Sequence, residues 1–128
     1  MKAQDKEMQG LKKINWDFLF QNFDFDDPDE RELLEDLVRN LQAEVTDFFI
    51  QLDDCLHGGL FSEAKAIVHR MKSSFGNIGL SRASAFCGEI QNSLEEGKIE
   101  EGNQEISKLL DSQQLILDGL DGLLARIA

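Results

Sequence analysis

Apolar residues recur every three or four positions along nearly the whole chain, which is the period of helices buried on one face. The longest stripe of this kind runs through the first half of the chain: Leu34, Leu37, Val38, Leu41, Val45, Phe48, Leu52 and Cys55. One proline and no tyrosine occur among 128 residues, whereas a β-sandwich or barrel needs many turn and β-forming residues. The pattern therefore predicts an all-α protein.

Capping and turn residues divide this pattern into separate helices. Asp27 before Pro28 is typical of a helix start, because the Asp side chain caps the helix and the missing proline N–H costs nothing there. Glycines at 58–59, 79 and 97 predict helix ends. The expected segments are a flexible tail over 1–10, a short helix over about 11–23, and four longer helices, which begin at Pro28, near Leu60 (ending at Ile78), after a Ser81 cap, and after Gly102-Asn103.

The loops between these segments are short, so consecutive helices become antiparallel neighbours. The prediction is an antiparallel up-down-up-down four-helix bundle with a short extra N-terminal helix, formed as one domain by residues 11–128. Gly119 and Gly122 weaken the last helix, and we expect them to permit close packing. The stripes can be filled within one bundle, so a monomer is expected.

The formal net charge of -12 argues against binding to nucleic acid or anionic membranes. No apolar run approaches the roughly 20 residues of a membrane span, and no secretion signal opens the chain. Two cysteines make no disulfide framework, so the cytoplasm is the expected compartment. His57 beside the glycine break is expected in an exposed loop, and with Cys55 it would offer only two metal ligands, so no metal is expected.

His69 differs from His57 because it lies in the middle of a predicted helix. A helical wheel places the apolar stripe of this helix opposite His69. This excludes the interpretation of His69 as a buried histidine whose hydrogen bonds are made within the core. That stripe consists of Leu60, Ala64, Ile67, Met71, Ser74, Phe75 and Ile78. An ordinary surface histidine remains the alternative at this point.

The neighbours of His69 favour a functional role. Lys72, one turn away, can reach an anionic group on the imidazole, and Ala66, Ser73 and Gly76 leave room for another protein surface. Residues 63–82 carry four basic side chains against one acidic side chain, a net of +3, so subtracting +3 from -12 leaves -15 for the remainder. Residues 63–82 thus form a short basic segment in an otherwise acidic protein.

The run from His69 to Leu80 resembles the signature of histidine-containing phosphotransfer (HPt) domains, in which a histidine is followed by Lys at the third position and by Gly at the tenth. The residues that match the signature are His69, Met71, Lys72, Ser74, Ile78 and Gly79. The likeness extends from about Ile14 to the end of the chain. Ser73 replaces a family glycine, and its hydroxyl could bind a phosphoryl oxygen or hinder a partner. Gln91 replaces a frequent Glu and is not expected to touch the chemistry.

The resemblance implies a phosphorelay protein in two-component signalling, in which His69 accepts a phosphoryl group from an aspartyl phosphate of a response-regulator receiver domain and passes it to another receiver. Lys72 would stabilise the added charge, and Gly79 would be structural. The candidate docking residues are Lys65, Ala66, Arg70, Ser73, Gly76 and Asn77. The implied partners are receiver domains and a hybrid sensor histidine kinase. No cofactor is expected on this chain, and Mg²⁺ is expected on the receiver.

Two alternatives stay open. One is an HPt-like module that docks on a receiver or kinase without carrying phosphate, and the other is a structural bundle subunit. With no Gly-rich nucleotide loop, the chain is not expected to be an enzyme that phosphorylates itself from ATP.

Overall fold

In the computed structural model, the structure is described for residues 8–127, and helices dominate this range. A 3₁₀ turn at Gly10–Lys12 precedes six α-helices, and no strand occurs between residues 8 and 127. The helices are α1 (Trp16–Asn22), α2 (Pro28–Gly58), α3 (Phe61–Asn77), α4 (Ser81–Glu95), α5 (Ile99–Asp111) and α6 (Gln113–Ile127). The predicted all-α class is confirmed.

The bundle has four helical segments, which are α2, α3, α4 and, as the fourth, α5 followed by α6. α3 packs along α4 and α2, while α2 also contacts α6 and α4 contacts α5. The loops at 59–60, 78–80 and 96–98 are short enough to make consecutive helices antiparallel. Their buried stripes meet in one core. No helix of the described range has both the length and the apolarity to cross a bilayer.

The predicted start of α2 and the predicted glycine stops are present. Asp27 accepts a hydrogen bond from the Asp29 N–H at 2.9 Å, and Pro28 occupies the first helical position. Gly59, Gly79 and Gly97 follow α2, α3 and α4 with φ of 67°, 83° and 77°. A side chain at these positive φ values is strained, so glycine defines where each helix ends.

Two leucines assigned to core stripes are exposed instead. Leu37 is 38% exposed at the edge of the α2 stripe, and Leu60 is 46% exposed. Leu60 lies before the first residue of α3, so the helical wheel does not apply to it.

The expected Ser81 cap is also wrong, because α4 begins at Ser81 itself and has no side-chain cap at Leu80. The Ser81 hydroxyl accepts a hydrogen bond from the Asn15 amide at 3.2 Å. Asn15 also caps α1 and donates its backbone N–H to the Gly79 carbonyl at 2.8 Å. The turn between α3 and α4 is thereby tied to the N-terminal segment.

The last predicted helix begins earlier than expected and is divided in two. α5 starts at Ile99 and contains Gly102, where a Cβ would lie 2.7 Å from Leu94 Cδ2 of α4. The division falls at Ser112, whose hydroxyl donates to the Lys108 carbonyl while its backbone N–H bonds to Leu109. The backbone hydrogen bond from the Ser112 N–H to the Leu109 carbonyl spans three residues instead of four, which tightens the turn and separates α5 from α6.

The N-terminal segment packs against α6 at a glycine. A Cβ on Gly119 would lie 2.7 Å from the Lys12 carbonyl oxygen, so the close packing expected there is present, whereas Gly122 has open space around it. Of the predicted tail, residues 1–7 lie outside the described residues. Met8 and Gly10 are buried, so the packed domain includes residues before position 11.

Candidate functional site

His69 lies at the middle of α3 with its side chain exposed, as the helical wheel predicts. The opposite side of the helix is buried in the core through Ala64, Ile67, Val68, Met71 and Phe75. Because this stripe anchors α3, the imidazole is held at the surface on a rigid element.

Gln91 of α4 contacts the imidazole, with 3.2 Å between its Oε1 and His69 Nδ1. An amide oxygen is only an acceptor, so this hydrogen bond requires the proton of the neutral ring to be on Nδ1. The lone pair is then on Nε2, which is the nitrogen free to react. This contact of Gln91 with the imidazole is not predicted from the sequence.

The Lys72 side chain crosses from α3 onto α4 and lies over Gly88. A Cβ at Gly88 would be 3.6 Å from Lys72 Cε and 3.8 Å from Nζ. Among residues 8–127, no carboxylate oxygen lies within 4.0 Å of the Lys72 ammonium. This cation is consequently available to an anionic group brought to the surface near His69.

These contacts follow one another along the antiparallel interface between α3 and α4. His69 faces Gln91, Lys72 faces Gly88, and Gly76 faces Ser84. The Ser84 hydroxyl also donates to the Lys72 carbonyl at 2.8 Å, which fixes the register of the two helices. We call this set the α3–α4 seam, and its members are His69, Lys72, Gly76, Ser84, Gly88 and Gln91.

Gly76, predicted as a docking residue, also belongs to the packing of this seam. It is half-buried, and a Cβ there would lie 3.3 Å from Ser84 Oγ. Its small size therefore favours the close approach of α4 of the same chain.

The remaining candidate docking residues surround His69 on α3. Ala66, Arg70, Ser73 and Asn77 are exposed and Lys65 is half-buried. The Arg70 guanidinium lies 5.8 Å from the centroid of the Phe48 ring, which holds this charge over α2. The Ser73 hydroxyl lies 3.5 Å from the His69 carbonyl oxygen of its own helix.

Gly79 ends α3 for two reasons, its φ of 83° and its close neighbours. A Cβ there would lie 3.2 Å from Leu19 Cγ and 3.3 Å from the Asn15 carbonyl oxygen. The turn that follows the histidine helix therefore requires glycine.

The other cysteine and histidine residues form no second site. Cys55 points into the core, whereas the His57 side chain is exposed and its Nδ1 lies 2.9 Å from the Asp53 carbonyl oxygen, so the two do not meet as metal ligands. Burial raises the pKa of the Cys87 thiol to about 12, against the opposing effect of Lys72. In the part of the chain that the structure describes, no three His, Cys, Asp or Glu side chains are grouped to bind a metal.

Sequence reasoning missed the α4 half of the seam. Ser84, Gly88 and Gln91 recur at steps of four and three, each one residue after a member of the buried stripe. A row of small and polar residues beside a core stripe is the available signal, although it does not say which residue of α3 each one meets.

The structure thus defines a helical bundle that presents His69 on the surface of α3, with Lys72 one turn away on the same helix. The family model described as Hpt domain matches residues 29–127, and the chain belongs to that family. No curated protein and no solved structure matches the chain significantly. The function associated with Hpt domains is histidine phosphotransfer in two-component signalling.

The packing role of Gly76 can be tested by adding one methyl group in two backgrounds. Gly76→Ala should lower the free energy of unfolding by about 1 kcal/mol, because the new Cβ presses on Ser84 Oγ. In a Ser84→Ala background the nearest remaining atom is a Cβ at 3.9 Å. There the same change should stabilise the helix by up to about 1 kcal/mol.

Urea unfolding of the four proteins measures both effects. Stabilisation by Gly76→Ala in both backgrounds would contradict the packing role of Gly76 and leave contact with a docked partner as the explanation for its small size.

Proposed function

We propose that this chain is a phosphoryl carrier in a multistep phosphorelay. His69 accepts a phosphoryl group from an aspartyl phosphate on one receiver domain, within a hybrid sensor histidine kinase, and passes it to an aspartate on another. The observation that supports this most is the exposed imidazole whose Nδ1 is bound to Gln91, which leaves Nε2 as the nucleophile.

In the accepting step, the Nε2 lone pair forms a bond to phosphorus while the bond from phosphorus to the aspartate oxygen breaks. The receiver carboxylate leaves with that electron pair, and Nδ1 keeps its proton, which stays hydrogen-bonded to Gln91 Oε1. In the onward step, a carboxylate of the second receiver attacks phosphorus, and the electrons of the N–P bond return to Nε2. Both steps depend mainly on alignment and on stabilisation of phosphoryl charge.

Lys72 supplies positive charge from this chain. Its ammonium has no carboxylate partner within the described range, and it lies one turn from His69 on the same helix face. It can therefore offset the charge that the phosphoryl oxygens bring.

The receiver domain provides the Mg²⁺ and most of the catalytic groups in this proposal. Hpt domains are phosphocarrier modules rather than kinases, and we assign no ATP-dependent activity to this chain. All contacts that build the site come from α3 and α4 of one chain, so a monomer suffices.

The receiver docks on the exposed face of α3 around His69. Lys65, Arg70 and Lys72 form its basic part, and Ala66, Ser73 and Asn77 its small and polar part. The net of +3 over residues 63–82, in a chain whose total is -12, complements the acidic pocket of a receiver domain.

His69→Gln should abolish phosphoryl labelling by a receiver charged with acetyl phosphate, because no other group of the seam is a nucleophile of this kind. The bundle should stay folded, since the side chain is exposed. His57→Gln is the matched control, and it should be labelled like the wild type. Acid-labile label per chain and the far-ultraviolet circular dichroism are the measurements.

Unchanged label on His69→Gln would refute the assignment of the phosphoacceptor. A wild-type chain that binds the receiver and acquires no label would instead support the docking module that carries no phosphate.

Lys72→Ala should slow phosphotransfer about fivefold, as expected for loss of about 1 kcal/mol of charge stabilisation near the surface. Gly88→Leu should reproduce part of this loss, because its side chain occupies the space of the Lys72 stem, whereas Gly88→Ala should not. Lys108→Ala on α5 removes the same charge elsewhere and serves as the control. Rapid-quench transfer rates that fall equally for Lys72→Ala and Lys108→Ala would reduce Lys72 to a general charge effect.

A further inference from the structure

The Gln91 amide contacts His69 with one end and Glu95 with the other. We infer that Glu95, at the end of α4, is a positioning residue: by holding the amide nitrogen of Gln91, it keeps the proton of His69 on Nδ1 and the lone pair on Nε2. This inference rests on the proposed function of His69 as phosphoacceptor.

The contact that carries it lies on α4. Gln91 Nε2 donates to Glu95 Oε1 at 3.3 Å, and the two residues are four positions apart on one helix face. The other end of the same amide, Oε1, lies 3.2 Å from His69 Nδ1. The three side chains thus form a chain of two hydrogen bonds that ends at the imidazole.

The two ends of an amide are chemically opposite but similar in shape. With Oε1 toward the ring, Nδ1 must donate and Nε2 keeps its lone pair. With the NH₂ group toward the ring, Nδ1 must accept, the proton moves to Nε2, and the lone pair needed for attack is lost. Gln91 alone does not decide between these orientations.

Glu95 decides because an ionised carboxylate only accepts hydrogen bonds. It binds the NH₂ end of Gln91 and would repel the oxygen end. The orientation that places Oε1 against His69 is therefore favoured by both of its hydrogen bonds, while the reversed amide would set two acceptors against each other.

The chain offers a matched control one residue away. Glu96 carries the same charge, but its carboxylate pairs with Lys98 at 3.1 Å, and Glu96 is not among the hydrogen-bond partners of Gln91. Glu95→Ala removes the acceptor, Glu95→Gln replaces it with an amide that can accept or donate and so favours neither orientation of Gln91, and Glu96→Ala removes a nearby charge only.

The experiment is ¹H–¹⁵N correlation NMR of the imidazole ring on the intact protein, in buffer alkaline enough for a free imidazole to be neutral. His69→Gln identifies the His69 signals. We expect the Nδ1–H form to predominate in the wild type and in Glu96→Ala, and its share to fall in Glu95→Gln, whose amide can also donate. In Glu95→Ala the ratio of the Nε2–H form to the Nδ1–H form should rise about three- to tenfold, as expected for loss of one exposed hydrogen bond.

An unchanged ratio in Glu95→Ala would overturn the inference, as would an equal shift in Glu96→Ala. A ratio in Glu95→Gln as low as in the wild type would also overturn it, because selection would then not depend on a group that only accepts hydrogen bonds. The readout needs no phosphate, so a wild type that fails to accept a phosphoryl group would refute the proposed function and leave the tautomer result standing.

Discussion

The close antiparallel packing of α3 on α4 is the constraint on which the site depends. Gly76 and Ser84 let the two helices approach, and the bond from Ser84 to the Lys72 carbonyl fixes their register. Once this register is set, Gln91 meets the imidazole of His69 and Gly88 lies beneath Lys72. The site thus needs no loop of its own, because two packed helices hold its groups as they hold the core.

Support for this packing comes from the far end of the chain. Asn15 joins the backbone of Gly79 and the hydroxyl of Ser81, so the N-terminal segment is bonded to the turn that connects α3 and α4. The same segment passes over α6 at Gly119, where only a glycine leaves room for the Lys12 carbonyl. The N-terminal segment, which lies outside the four bundle segments, therefore stabilises the α3–α4 seam.

What the sequence predicts well is decided within single helices. The outward position of His69 needs only the helical period, and Gly59, Gly79 and Gly97 mark ends through their own backbone conformation. The contact of Gln91 with His69 joins residues 22 positions apart, so it depends on the register between two helices, which the period of one helix does not contain. The packing of Gly76 against Ser84 and the turn at Ser112 are missed for related reasons: the first depends on a neighbouring helix, and the second on a side-chain hydrogen bond.

The central claim of the proposed mechanism is that Nε2 of His69 is the reacting nitrogen, because Nδ1 is hydrogen-bonded to Gln91. The direct measurement is ³¹P and ¹⁵N NMR of the chain after charging by a phosphorylated receiver, which identifies the ring nitrogen bonded to phosphorus. The account predicts phosphorus on Nε2 of His69, with Nδ1 unsubstituted. Phosphorus on Nδ1 would contradict it, because the hydrogen bond to Gln91 could not then survive phosphorylation.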